Sequence, residues 1–258
     1  MNHMPRSRAK RLGAVRGALR HREEDRLTNA DPAGDSLPRL AAELTERFHP
    51  RPRAVMVGSR TIELLLPPSV DDLISEEEFA IDERLPYWAE IWPAARALAA
   101  VLAEERGNGR TLLELGCGAG LVAVAACQAG FEVTATDYYQ PALDFTRLNA
   151  WRAAGVEPRT RVVDWRNLPR DLGRFDMVVA ADVLYEKGYL QLVAGAFARC
   201  LAPSGVGLMA DPQRQAAEGF ADACRRAGLR VETPPPKLVT HLGREQPIDL
   251  FRLTLPAT

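Results

Sequence analysis

The chain has little of what several common chemistries require. Only four cysteines occur in 258 residues, Cys117, Cys127, Cys200 and Cys224, and no two of them form a CxxC pair. Each lies in or beside an apolar run, so they are expected to be reduced thiols of a cytoplasmic protein, not a disulfide frame or a zinc site. Histidine is equally scarce. His3 and His21 fall in the first basic stretch, His49 before a candidate hairpin and His241 in a late loop, so none stands as an obvious general base. No metal is expected. No apolar run approaches the ~18 residues that span a membrane, and no signal-peptide apolar segment opens the chain. A formal net charge of −1 gives the molecule as a whole no attraction for nucleic acid or an acidic membrane.

What is present is ordinary globular material. Hydrophobic residues make up 47% and charged residues 26%, which in this length suits one sizeable domain with accessory segments. The first 26 residues hold eight Lys or Arg against Glu23, Glu24 and Asp25, with few large apolar side chains. Residues 1–36 are therefore expected to be a disordered basic leader. A nucleic-acid tail or a transit peptide would have the same composition. Residues 37–92 read as an N-terminal extension: an amphipathic helix from Leu37 to Phe48, then two β-type runs flanking Gly58-Ser59 as a hairpin. An exposed acidic stretch, Asp71 to Glu83, and the aromatic segment Leu85 to Pro93 follow.

From residue 93 to 258 the pattern alternates. A helix begins with Pro93 in its first turn and runs to about Glu105. Strands are expected at Thr111–Leu115, Phe131–Thr136, Arg161–Val163, Phe175–Ala180, Val206–Ala210, Leu229–Glu232 and Ile248–Leu255. Helices are expected at Leu121–Ala129, Pro141–Ala153, Tyr189–Leu201 and Gln213–Ala227. Strands alternating with helices imply an α/β fold with a parallel, doubly wound sheet. Pro234-Pro235-Pro236 reads as a stiff loop.

The chemistry concentrates at strand ends. In Leu112-Leu113-Glu114-Leu115-Gly116-Cys117-Gly118-Ala119-Gly120-Leu121 a buried strand turns into a helix. Gly116, Gly118 and Gly120 allow a tight turn and close backbone approach to a ligand. The following helix start offers amides to an anionic group. A pyrophosphate-binding loop looks similar, but the spacing here is GxGxG rather than GxGxxG, and Glu114 precedes it. Asp137 ends the next strand, where its carboxylate can accept hydrogen bonds from both hydroxyls of a ribose. Asp164-Trp165 ends the third strand, an acid for an adenine amino group and an aromatic to cover its face. Asp182, at the end of the fourth, and Tyr185 three residues on would share one side if a helical turn starts there. A helix cap by Asp182 and a packed Tyr185 are the plainer alternative.

With these motifs assembled, the chain resembles class I, seven-β-strand methyltransferases. More narrowly it is similar to the family-16 group of protein lysine methyltransferases, which act on chaperones, elongation factors and the electron transfer flavoprotein β subunit. The resemblance covers roughly residues 53–255. It rests on Trp88…Trp92-Pro93, the Glu-Leu-Gly-Cys-Gly-Ala-Gly turn, Asp164-Trp165 and Ala181-Asp182-Val183-Leu184-Tyr185. It implies a Rossmann-like seven-stranded sheet with helices on both faces, and S-adenosylmethionine as cofactor, lined by Trp92, Glu114, Gly116, Gly118, Gly120, Asp137, Asp164, Trp165 and Ala181. It also implies a lysine-bearing protein as substrate. Asp182 would dock and orient the amine, Tyr185 would narrow the channel, and Asp211 and Arg214 of Ala210-Asp211-Pro212-Gln213-Arg214 would contact the substrate. A turn and helix start explain Asp211-Pro212 equally well. Tyr138-Tyr139 departs from the family pattern.

A small-molecule methyltransferase on the same scaffold, closed by a lid from residues 37–90, is the alternative enzyme. A non-catalytic protein-binding module is the alternative of another class, disfavoured by the joint presence of the glycines, Asp137 and Asp182. A nicotinamide oxidoreductase would need a Tyr-x-x-x-Lys or histidine hydride site, and neither is found. Nucleic-acid methylation would call for an Asn-Pro-Pro-Tyr-type motif and a basic core.

Overall fold

A computed structural model describes residues 37–68 and 86–256, so the expected leader and acidic stretch lie outside the described residues. Residues 41–256 form one body; of the unit before it only residues 37–40 are described. Helix α1 (Leu37–Phe48) buries Leu44 and Phe48, one helical turn apart. Strands β1 (Arg51–Val57) and β2 (Arg60–Leu66) form an antiparallel hairpin closed by Gly58-Ser59, with Val57 opposite Arg60. Alternate residues Ile62, Leu64 and Leu66 face inward. A buried amide fastens this hairpin to the core: Asn149 accepts from the Leu65 N–H (2.7 Å) and donates to the carbonyls of Leu65 (3.0 Å) and Ala119 (2.9 Å).

A single 3-10 turn, Tyr87–Ala89, precedes α2 (Pro93–Ala103). The chain then alternates through β3 (Thr111–Leu115), α3 (Leu121–Gln128), β4 (Glu132–Asp137), α4 (Gln140–Ala154), β5 (Arg159–Val162), β6 (Phe175–Ala181), α5 (Tyr189–Cys200) and β7 (Leu201–Asp211). Helix α6 (Phe220–Arg226), β8 (Arg230–Glu232), β9 (Lys237–His241) and β10 (Arg244–Thr254) complete it. The sheet runs β5-β4-β3-β6-β7-β10-β8, with β9 paired to β10 off that path. The first five of these strands are parallel; β10 is antiparallel to both β7 and β8. β3 and the middle of β6 are buried on both faces, as helices on both sides require. Strand order reverses between β3 and β6, and at such a switch point the carboxyl ends of two neighbouring strands open a crevice.

Three segments differ from expectation. Gln213–Ala227 is not one helix: it is a 3-10 turn at Gln215–Ala217 and then α6, separated by Gly219 at φ 87°. The helical periodicity of this stretch is real, but a left-handed residue cannot continue a helix. β9 has no counterpart among the expected strands, because its side chains are mostly exposed and give no core alternation. His241 therefore ends a strand of a hairpin turned by Leu242 and Gly243, both at positive φ. β7 begins at Leu201, immediately after α5, several residues earlier than its apolar run.

Candidate active site

A cleft of about 660 Å³ opens at the switch point and is lined from four directions. The β3–α3 loop brings Gly116, Gly118 and Gly120; the tip of β4 brings Asp137 and Tyr138. The end of β5 brings Asp164 and Trp165, and the end of β6 brings Ala181, Asp182 and Tyr185. Glu114, Trp92 and Arg214 also face it. Of the residues singled out from sequence only Asp211 does not line it.

The glycine loop is held by hydrogen bonds to its neighbour strand. Asp137 accepts from the Gly118 N–H at 2.9 Å through one carboxylate oxygen and from the Tyr139 N–H at 3.0 Å through the other. Each oxygen retains a lone-pair direction for a ligand hydroxyl. Burial nonetheless pushes the Asp137 carboxyl up from its ordinary value, against these amides. Gly118 sits at φ 53°, and a Cβ there would stand 3.0 Å from the Trp88 carbonyl, so only glycine lets the loop lie this close to the aromatic segment. Trp88 itself is core, packed on Phe145 (5.6 Å) and edge-on to Phe48 (6.0 Å). Glu114, 2% exposed, has an Oε2 without a hydrogen-bond partner among the described residues. Burial, and then the charge of Asp137, pushes its carboxyl well above the usual range. An orphaned buried carboxylate facing a cleft suits a cationic group of a ligand.

Asp164 is less free than the sequence suggests. Its carboxylate takes the Arg166 backbone N–H at 2.9 Å and ion-pairs with the Arg166 guanidinium at 2.8 Å. Arg166 in turn lies over the Tyr138 ring at 5.9 Å. The unusual Tyr138 thus belongs to an outer rim of Tyr138, Arg166 and Asp164. Trp165 meets Tyr189 edge-on at 5.5 Å.

The opposite half is built from side chains. Asp182 does not start a helical turn and caps no helix: it is left-handed at φ 60°, and its N–H bonds the Ala210 carbonyl at 2.9 Å. Its side chain is buried, with Oδ1 held by Arg214 Nε at 2.5 Å and Oδ2 unpartnered among the described residues. Burial raises the Asp182 carboxyl above its ordinary value, and the Arg214 guanidinium pulls it back. Arg214 is fixed from behind, its backbone N–H bonding Asp211 Oδ1 at 2.7 Å, and its guanidinium lies 5.4 Å from the Trp92 ring centre. Asp211 therefore lies behind Arg214, outside this cleft. Rings continue the wall: Trp92–Tyr87 at 5.9 Å, Tyr87–Tyr185 at 5.7 Å and Tyr185–Tyr189 at 5.3 Å. Burial pushes the Tyr185 hydroxyl up, so it stays protonated. Tyr87, Tyr189 and Arg166 were missed from sequence. The density of aromatics before Pro93 was the available signal for Tyr87; Tyr189 looked like any helix start.

The arrangement places a backbone cradle with two carboxylates opposite a buried acid and an aromatic wall. Such an arrangement has the groups to take a nucleoside-bearing ligand with a cationic end beside a second compartment. Comparison with known proteins narrows the class. The glycopeptide N-methyltransferase MtfA, solved with sinefungin, shares the fold at a TM-score of 0.52 and 17% identity over 64% of this chain and 93% of that one. Magnesium protoporphyrin IX methyltransferase (ChlM) of Synechocystis does so at a TM-score of 0.50 and 18% identity over 72% and 95%. The fold is that of a Rossmann-like methyltransferase.

The family model for lysine methyltransferases matches residues 82–223, more than half of the chain, and the protein belongs to that family. Among curated relatives, protein-lysine N-methyltransferase rrg1 of Schizosaccharomyces pombe is 28% identical over 68% of this chain and 62% of its own. The electron transfer flavoprotein beta subunit lysine methyltransferase of Danio rerio is 33% identical over 40% of each. The chain spans two fifths to about three fifths of the length of these relatives.

Proposed function

We propose that the protein transfers a methyl group from S-adenosylmethionine to a lysine side chain of a protein substrate. The observation that carries this reading is the convergence of the glycine loop with Asp137 and the Asp182–Tyr185 segment on one cleft at the switch point. The residues fit the cofactor. Gly116 and Gly118 offer a backbone surface, Asp137 the ribose acceptors, and Trp165 with the rim at Asp164 the adenine walls. Glu114, with its unpartnered Oε2, would meet the amino group, and Ala181 and Trp92 would close the sides. When bound, S-adenosylmethionine supplies an already activated methyl, so the protein has mainly to align the acceptor.

Lysine brings a proton problem: a free lysine amine titrates near pH ~10.4, so only about one in ~2,500 is neutral at pH 7. A positive neighbour and partial burial both make that proton easier to lose. Asp182 does not serve as the base. Arg214 already holds one of its oxygens, and Oδ2, unpartnered among the described residues, is left to accept an N–H of the amine. The proton leaves to water before transfer. Tyr185, with Tyr87 and Tyr189, narrows the path and packs the aliphatic stem. In this reading residues 87–92 supply one wall of the cleft to the core that follows, and the four buried free cysteines suit a reducing cytoplasm.

Methyl transfer from radiolabelled cofactor into a host-cell extract tests the reading. A discrete labelled protein yielding methyl-lysine on hydrolysis is expected, absent with Asp182→Ala while cofactor affinity holds. Label confined to small molecules would instead establish the metabolite enzyme.

A further inference from the structure

Behind Arg214 lies a second groove of about 350 Å³, lined by Asp211, Gln213, Arg214, Glu218, Phe220 and Asp249 among others. Its floor is apolar, with Phe220 edge-on to Phe251 at 5.3 Å. Its walls are acidic. Asp211 and Asp249 stand directly opposite in the β7–β10 ladder, where like charges on one face repel. Asp211 is 1% exposed, and its Oδ2 has no hydrogen-bond partner among the described residues. The Gln213 amide donates to Asp249 Oδ1 at 3.1 Å, and Glu218 is exposed at the mouth. Among the described residues that line it the one cation is Arg214, whose guanidinium pairs with Asp182 and lies over Trp92. Among the described residues no group of His, Cys, Asp and Glu is arranged to hold a metal ion.

An apolar floor under an acidic wall with an unmatched buried oxygen fits a lysine or arginine side chain, whose stem packs while its head is paired. We propose that this groove is a substrate subsite, taking a second basic side chain of the same protein whose lysine enters the main cleft. This rests on the lysine methyltransferase reading and deepens it. Asp182 just past the end of β6, Asp211 at the end of β7 and Asp249 in the middle of β10 stand side by side across the sheet. Two strand spacings separate the outer two, roughly 10 Å. An extended peptide advances about 3.3 Å per residue, so the second basic residue sits two to four positions from the target. Arg214 stands between the two pockets and keeps both acids from competing for one cation.

The test uses the full chain and two probes. In titrations of Nα-acetyl-arginine amide followed by NMR, the amides of Gly219 and Phe251 should shift, and the neutral citrulline analogue should shift neither. Asp249→Asn should weaken arginine amide binding about fivefold. In lysine-centred peptides, replacing an arginine two to four positions away by citrulline should raise KM with kcat little changed. Absence of arginine amide binding at the groove, or equal KM for arginine and citrulline peptides in an active enzyme, overturns the subsite and leaves lysine methylation standing. Arginine binding at the groove while no protein lysine is ever labelled overturns the substrate assignment together with the function it rests on.

Discussion

The two halves of the cleft are made differently. The half around β3 and β4 is backbone: glycines at positive φ and amides tied to Asp137, with Asn149 bracing Ala119 from behind. The half around β6 and β7 is side chain: Asp182, Arg214 and Asp211 in a row, walled by Trp92, Tyr87, Tyr185 and Tyr189. The first half satisfies its own loop amides and keeps one buried acid in reserve for a ligand. The second leaves carboxylate oxygens of Asp182 and Asp211 without partners among the described residues. The first half suits a ligand met by backbone, the second a ligand met by charged and aromatic side chains.

The comparison is broken most severely at Arg214. Arg214→Gln should lower kcat about 100-fold by freeing Asp182 from its position, with cofactor affinity unchanged. Arg214 holds the Asp182 carboxyl down, so its loss raises that carboxyl further and moves the acid limb of the rate profile to higher pH. An unmoved profile would show that Asp182 does not act as an ionised group. In the other half, Gly118→Ala should weaken cofactor binding about tenfold or more, since a left-handed non-glycine residue costs about 1–3 kcal/mol and its Cβ meets the Trp88 carbonyl. Calorimetry would read this, and a change in kcat alone would place the loop's role elsewhere.

The smallest expected effect is on stability. Burial, with the charges of Asp182 and Asp249, pushes the Asp211 carboxyl up to about 6. Its unfolded value is about 3.9. The folded state therefore holds this proton more tightly, and the group's contribution favours folding at low pH and is lost as pH rises through 6. Asp211→Asn keeps the acceptor for the Arg214 N–H and removes the charge. It should stabilise the protein by about 1–2 kcal/mol near pH 8 and by less near pH 5. A Tm that falls at pH 8 would mean that the charge is already compensated.

Much of this was legible in the chain itself. The strands of the parallel sheet announce themselves as apolar runs because helices cover both faces, and β3 matches its expected bounds to the residue. The cofactor half was legible because it is local: Glu114 to Gly120 is one contiguous turn, and Asp137 follows at a strand tip. β9 and the break at Gly219 were not, because an exposed edge strand has no core pattern and helical periodicity persists across a residue that turns the chain.

By itself, then, the sequence determined the α/β order, the glycine turn and the strand-tip carboxylates, since each depends on neighbours within a few residues. Only the tertiary structure decided that Arg214 would clamp Asp182 across 32 residues, that Tyr87, Tyr185 and Tyr189 would form one wall, and that Asp211 would face Asp249 in a separate groove. Those pairings follow from which strand ends the sheet order places side by side, and no local propensity encodes that.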